Sequence, residues 1–200
     1  MQRMLQSNDG AATAASPHVG VEQGHWLLLI YRVPADPSSA RSAVWRAAKR
    51  LGALSLQHAI FLLPLSPATR AAYAQLARRI EEYGGETTIL ETASPDAAWH
   101  AKTVARFNAA RDEEYDEVID EARCYRTEIA REQDQDKYTF VELDDQESSL
   151  DRLRVYLERV RARDAFAAPG YARAAGEIER CAELCEAFAQ DVYARQGNGR

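Results

Sequence analysis

The chain has 200 residues, 28% of them charged, with a formal net charge of −6 and a mean hydropathy of −0.46. No apolar run approaches the roughly 18 residues of a membrane-spanning helix, and three cysteines, an odd number, make no disulfide framework. This composition excludes a transmembrane helix and a disulfide-stapled secreted domain, and points to a soluble protein of the reducing cytoplasm.

Residues 1–23 are rich in Ala, Gly, Ser and Gln, lack the basic start and apolar centre of a secretory signal, and read as a disordered tail. His25–Val33 is a short apolar run stopped by Pro34 and Pro37, the pattern of a buried central strand. Ser38 and Ser39 are candidate N-caps for a helix that carries Val44, Ala48 and Leu51 on one face and Ser42, Arg46, Lys49 and Arg50 on the other, with Gly52 as its stop. Leu54–Gln57 and Ala59–Leu63 read as two short strands, the second ended by Pro64. A second helix starts near Pro67, buries Tyr73, Leu76, Ala77 and Ile80, and is broken by Gly84 and Gly85. Glu86–Thr92 closes the set as a strand. The order β-α-β-β-α-β over residues 24–93 predicts a ferredoxin-like domain, with helices on one face of an antiparallel sheet and the other face left for a partner, a second copy or the rest of the chain.

From Ser94, Pro95 and Asp96 onward the pattern turns helical. A long helix runs to about Gln133 with Phe107, Tyr115, Val118, Ile119, Ala122, Tyr125 and Ile129 at three- and four-residue spacings. Tyr138–Val141 reads as a short extended link. A helix from about Asp145 to Ala165 carries Leu150, Leu153, Tyr156, Leu157 and Val160, and after Pro169 and Gly170 a last helix carries Ile178, Cys181, Leu184, Cys185, Phe188 and Val192. The predicted fold class is α+β, a ferredoxin-like domain followed by an antiparallel helical bundle over residues 94–200. Charge divides with it: residues 24–92 hold 8 basic against 5 acidic side chains, residues 93–165 hold 12 against 19.

The segments Trp26–Tyr31, Arg41-x-x-Val-Trp45-Arg-x-x-Lys49-Arg-Leu-Gly52-Ala and Leu63-Pro64 resemble the N-terminal domain of the bacterial chromate-resistance protein B. So do Phe107-Asn-Ala-Ala-Arg-Asp-Glu-Glu-Tyr115, Tyr138–Leu143 and Arg159-Val-Arg-Ala-Arg163-Asp. The resemblance covers most of residues 25–195. It implies a chromate-responsive regulator of a chromate efflux operon, a homodimer that binds operator DNA and responds to chromate. Members of the family commonly carry a further C-terminal domain before which this chain stops, so the expectation is that it acts alone or with a separate protein partner replacing that domain. The sheet domain is also similar in pattern to the ferredoxin-like nucleases of CRISPR adaptation and to the second domain of phenylacetate-pathway repressors. A nuclease needs an acidic metal ligand at the end of the first strand, where Tyr31 and Arg32 stand, with Asp36 alone nearby.

Arg41, Arg46, Lys49 and Arg50 are the candidate oxyanion- or DNA-binding residues, joined by Arg32 at the end of the first strand. Guanidinium groups suit a tetrahedral dianion or a phosphate, although a run of cations is also what any solvated helix face presents. Trp45 reads either as an aromatic contact for a base or partner, or as a cap over the core between helix and sheet. His58 and Gln57 fall where a turn or bulge would aim a side chain outward. The acidic run from Asp112 to Glu121 reads as a solvated face, and Cys181 and Cys185 as core. No catalytic set, phosphate-cradling glycine loop, metal site or cofactor is expected, and a regulatory protein is favoured over an enzyme. The competing class is a protein-interaction or scaffold module that does not bind DNA.

Overall fold

The computed structural model describes residues 24–34 and 38–197; the tail predicted for residues 1–23, Asp36, and the position before Ser38 where a cap would sit lie outside them. The elements are β1 (His25–Arg32), α1 (Ser38–Arg50), β2 (Leu54–Gln57), β3 (Ile60–Pro64), α2 (Pro67–Glu82), β4 (Glu86–Ala93), α3 (Ala97–Asp134), α4 (Phe140–Arg161) and α5 (Gly170–Gly197). The helix α1 begins at Ser38 itself, so Ser39 is a first-turn residue and not the cap.

The four strands form one antiparallel sheet in the order β2-β3-β1-β4, the strand arrangement of a split β-α-β unit. Central β1 is apolar along its length because both its faces are covered. Leu27, Leu29 and Tyr31, with Phe61 and Leu63 of β3, face Val44, Ala47 and Ala48 of α1 and Tyr73, Leu76 and Ile80 of α2. Trp26 and Leu62 face the opposite way and pack on Phe107 of α3, with Trp99, Val104 and Phe166 around them. The Trp26 and Phe107 rings stack at 5.7 Å, and the buried indole N–H donates to Ser94 Oγ at 2.7 Å. The second sheet face is therefore partly taken by the chain's own third helix.

Helix α2 starts on a capping box, in which Ser66 Oγ accepts from the Thr69 amide at 3.1 Å and Thr69 Oγ1 accepts from the Ser66 amide at 2.9 Å. The helices α3, α4 and α5 close a second core around Val118, Tyr125, Ile129, Leu150, Leu157, Cys181 and Phe188. Successive helices are antiparallel: Glu132 meets Gln146 near the start of α4 and Tyr115 meets Asp164 just beyond its end, and α5, turning back along α4, runs parallel to α3, Gly170 meeting Asp112 and Cys181 meeting Ala122. The predicted extended link at Tyr138–Val141 is not extended beyond Thr139. Thr139 caps α4 by accepting from the Glu142 amide at 3.2 Å, so Phe140 and Val141 belong to its first turn. Among the described residues no helix is long and apolar enough to cross a membrane.

Candidate functional site: a cationic cleft at the edge of the sheet

Burial of Val44, Ala47 and Ala48 fixes the rotation of α1, which turns Arg41, Ser42, Trp45 and Arg46 outward beside the β2–β3 turn. With the end of β1 and with Ser55, Gln57, His58, Ala59 and Phe61 they line an open cleft of about 940 Å³. Its floor is the Tyr31 ring stacked on Phe61 at 6.0 Å. Burial pushes the Tyr31 hydroxyl above its ordinary value, and the Arg41 charge beside it opposes the rise.

The rim opposite α1 is the tight turn at His58 and Ala59, reached through a bulge between Ser55 and Gln57. Ala59 sits at φ 63, an unusual backbone for a residue with a side chain, and its carbonyl accepts from the Tyr31 amide at 3.0 Å. That bond ties the turn to β1 and presents His58 to the cleft.

The six sequence candidates divide. Arg41, Arg46 and Trp45 line the cleft, and Trp45 is 50% exposed, so it does not cap the core. Arg32 stands at the same rim opposite Glu86, to which it donates at 3.1 Å; both side chains are largely exposed, so the pair holds Arg32 weakly. Lys49 and Arg50 lie on the last turn of α1 and do not line the cleft. Among the described residues neither Arg41 nor Arg46 has a carboxylate partner, and no carboxylate lines the cleft.

A second cluster escaped the sequence reading. Glu114 accepts from Arg111 at 2.8 Å and from Arg163 Nε at 2.8 Å, and Arg111 is 2% exposed with its Nε and Nη1 unpartnered among the described residues. Burial lowers the Arg111 pKa, with Glu114 opposing. Beside them the Tyr115 hydroxyl donates to Asp164, and Asp112 accepts from the Gly170 amide at 2.7 Å. Arg163 also packs on Gly52 at the end of α1. The acidic run is therefore only partly a solvated face. Asp112 and Glu114 tie the helices together, and Glu117 accepts from the Tyr156 hydroxyl at 2.6 Å. The sign in the sequence was the pairing of Arg-Asp-Glu-Glu with Arg-Asp fifty residues later, but nothing in one sequence joins two such segments.

Cys181 and Cys185 are buried in the bundle core, where burial raises the Cys181 thiol pKa, and Cys124 is exposed. Among the described residues no three His, Cys, Asp or Glu side chains gather as metal ligands.

Two comparisons bear on these segments. The family model described as "Protein ChrB, N-terminal" matches residues 41–199. The chain is also 33% identical over 105 residues to Protein ChrB of Cupriavidus metallidurans, a match that covers 52% of this chain and 32% of that protein. The cleft-lining side chains of α1, Arg41 to Arg46, and the Arg111–Glu114–Arg163 cluster fall inside the span of the family model, whereas the first three residues of α1 and the cleft residues of β1 precede it.

Proposed function

Because the chain belongs to the family of ChrB N-terminal domains, we propose that it is a regulatory and sensing protein of chromate resistance that controls transcription of a chromate efflux operon rather than an enzyme. The observation that carries this reading is the cleft, where Arg41 and Arg46 face outward with no carboxylate partner among the described residues. Chromate is a tetrahedral dianion, and DNA phosphate offers the same chemistry of anionic oxygens to a guanidinium fork. A chromate ion and an operator phosphate would then compete for the same cations, which couples sensing to release. The protein works in the cytoplasm as a homodimer, two copies of α1 approaching one operator.

The test is a gel-shift titration of the protein on its own upstream DNA, with chromate and with sulfate as the control anion. The expected result is a shifted band released by chromate and retained in sulfate. The competing reading, a protein-interaction module without DNA binding, is favoured by β4. That eight-residue strand pairs only with β1 among the described strands and exposes Ile89 and Leu90. Absence of a shift under every condition would favour that module.

A further inference from the structure

We propose that the cleft between α1 and the β2–β3 turn receives one nucleotide unit, its base stacked on Trp45 and its phosphate held by Arg41 and Arg46. This rests on the reading of the cleft as an anion site and names what the anion belongs to.

Size is the first argument. A tetrahedral oxyanion displaces roughly the volume of two to three waters, about 60–90 Å³. The cleft, at about 940 Å³, has room for a ligand many times larger and lies at the upper end of the range that small organic ligands occupy. A lone oxyanion could use one wall and would leave the rest to water.

The walls carry the second argument. Cations stand on the α1 side, and aromatic surface lies next to them. Tyr31 and Phe61 are buried in their mutual stack and make a floor, so Trp45 is the one large ring among the lining residues with a free face. Trp45 and Arg46 are sequence neighbours on an exposed helix face, and Arg41 lies one turn before Trp45. A ring platform beside guanidinium groups is the arrangement that binds an unpaired base and its phosphate together. Gln57 and His58 add hydrogen-bonding side chains to the lining, on the turn that the Ala59 carbonyl ties to β1.

A base inside a duplex has no free face to offer Trp45. The same chemistry is supplied by a free mononucleotide or by single-stranded nucleic acid, and the experiment separates these sources. The full chain is titrated with AMP, with a ten-residue oligothymidylate, with duplex upstream DNA and with inorganic phosphate, following intrinsic tryptophan emission. Trp26 is buried and Trp99 is packed against it, so the response of an exposed indole belongs to Trp45. Trp45→Phe, Trp45→Ala and Arg41→Gln/Arg46→Gln are read in parallel, with calorimetry for affinity; all three positions are exposed, so these variants keep the fold.

Quenching by AMP that is lost in Trp45→Phe, with affinity kept in that variant and reduced about 5- to 100-fold in Trp45→Ala, supports the proposal with a free nucleotide as ligand. The same pattern with oligothymidylate alone supports it with a single strand as the source. Duplex binding that is unquenched, unchanged in Trp45→Ala and weakened by Arg41→Gln/Arg46→Gln overturns the nucleotide proposal and leaves the anion reading standing. Absence of any effect of Arg41→Gln/Arg46→Gln on every ligand overturns both.

Discussion

Gly52 and Gly176 show how one substitution takes opposite signs at two positions. Gly52 has φ +77, and a β-carbon there would lie 3.0 Å from Arg163 Cβ and 3.1 Å from its carbonyl oxygen. Gly52→Ala should therefore lower the unfolding free energy by about 1–3 kcal/mol, left-handed strain and the crowding acting together. Gly176, inside α5, meets only a distant Arg180 Nη1 at 4.0 Å, and Gly176→Ala should raise stability by up to about 1 kcal/mol through helix propensity. Urea midpoints of the two variants check the pair. Glu132 is a different kind of residue: it is 5% exposed, accepts from Gln146 Nε2 at 2.8 Å, and burial raises its pKa above the ordinary carboxylate value. A raised folded-state pKa means that the native state favours the protonated acid. Its contribution to stability is full below the unfolded carboxylate pKa and is lost as pH rises through the folded one. Glu132→Gln removes the charge and offers a donor to Gln146 Oε1, which has no partner among the described residues. The variant should be more stable than the parent near neutral pH, by about 1 kcal/mol, with the difference shrinking as pH falls into the carboxylate range. Thermal melts at pH 7 and pH 4.5 measure it.

At the level of elements, α3 joins the two halves of the molecule. Its first third covers the sheet through Phe107 and its remainder builds the bundle core, so one helix of 38 residues belongs to both. Phe107→Ala should cost about 3–5 kcal/mol and shift Trp26 emission to longer wavelength, since the indole loses the ring stacked on it. Emission-monitored denaturation tests both effects at once. Unchanged stability would mean that the sheet face is not held by α3. The periodicity of α3 was plain in sequence, as were the strands and the stop at Gly52. The start of α4 was not, because Tyr138-Thr-Phe-Val is a β-favouring run, and its conversion to a helix start depends on the Thr139 cap and on Tyr138 stacking against Phe188 at 5.4 Å.

For the molecule as a whole the charge is uneven. A net −6 protein repels a polyanion at long range, and under the proposed reading the sheet half, with its excess of cations, is the side that would face a nucleic acid, engaging few phosphates at once. If Arg41 and Arg46 make the contacts, the logarithm of single-strand affinity should fall with the logarithm of salt at a slope of about −1.4, and Arg46→Gln should reduce its magnitude by about 0.7. A titration between low and moderate salt gives both slopes. A much steeper parental slope would place Lys49, Arg50 or other cations in the contact set.

Secondary structure and the α+β class followed from local patterns: turn residues, apolar periodicity and the change from period two to period 3.6 are properties of neighbours in the chain. The cations of α1 were visible for the same reason. Which of them share a cleft was not, because the rotation of α1 depends on Val44, Ala47 and Ala48 docking on the sheet, and that turned Trp45 outward and left Lys49 and Arg50 aside. The Arg111–Glu114–Arg163 cluster lay wholly beyond local reading. Its members are 49 residues apart at the hydrogen bond from Arg163 to Glu114, and they meet only when α4 has returned along α3 to the end of α1. Charges that look solvated in a linear chain become structural when packing removes their water.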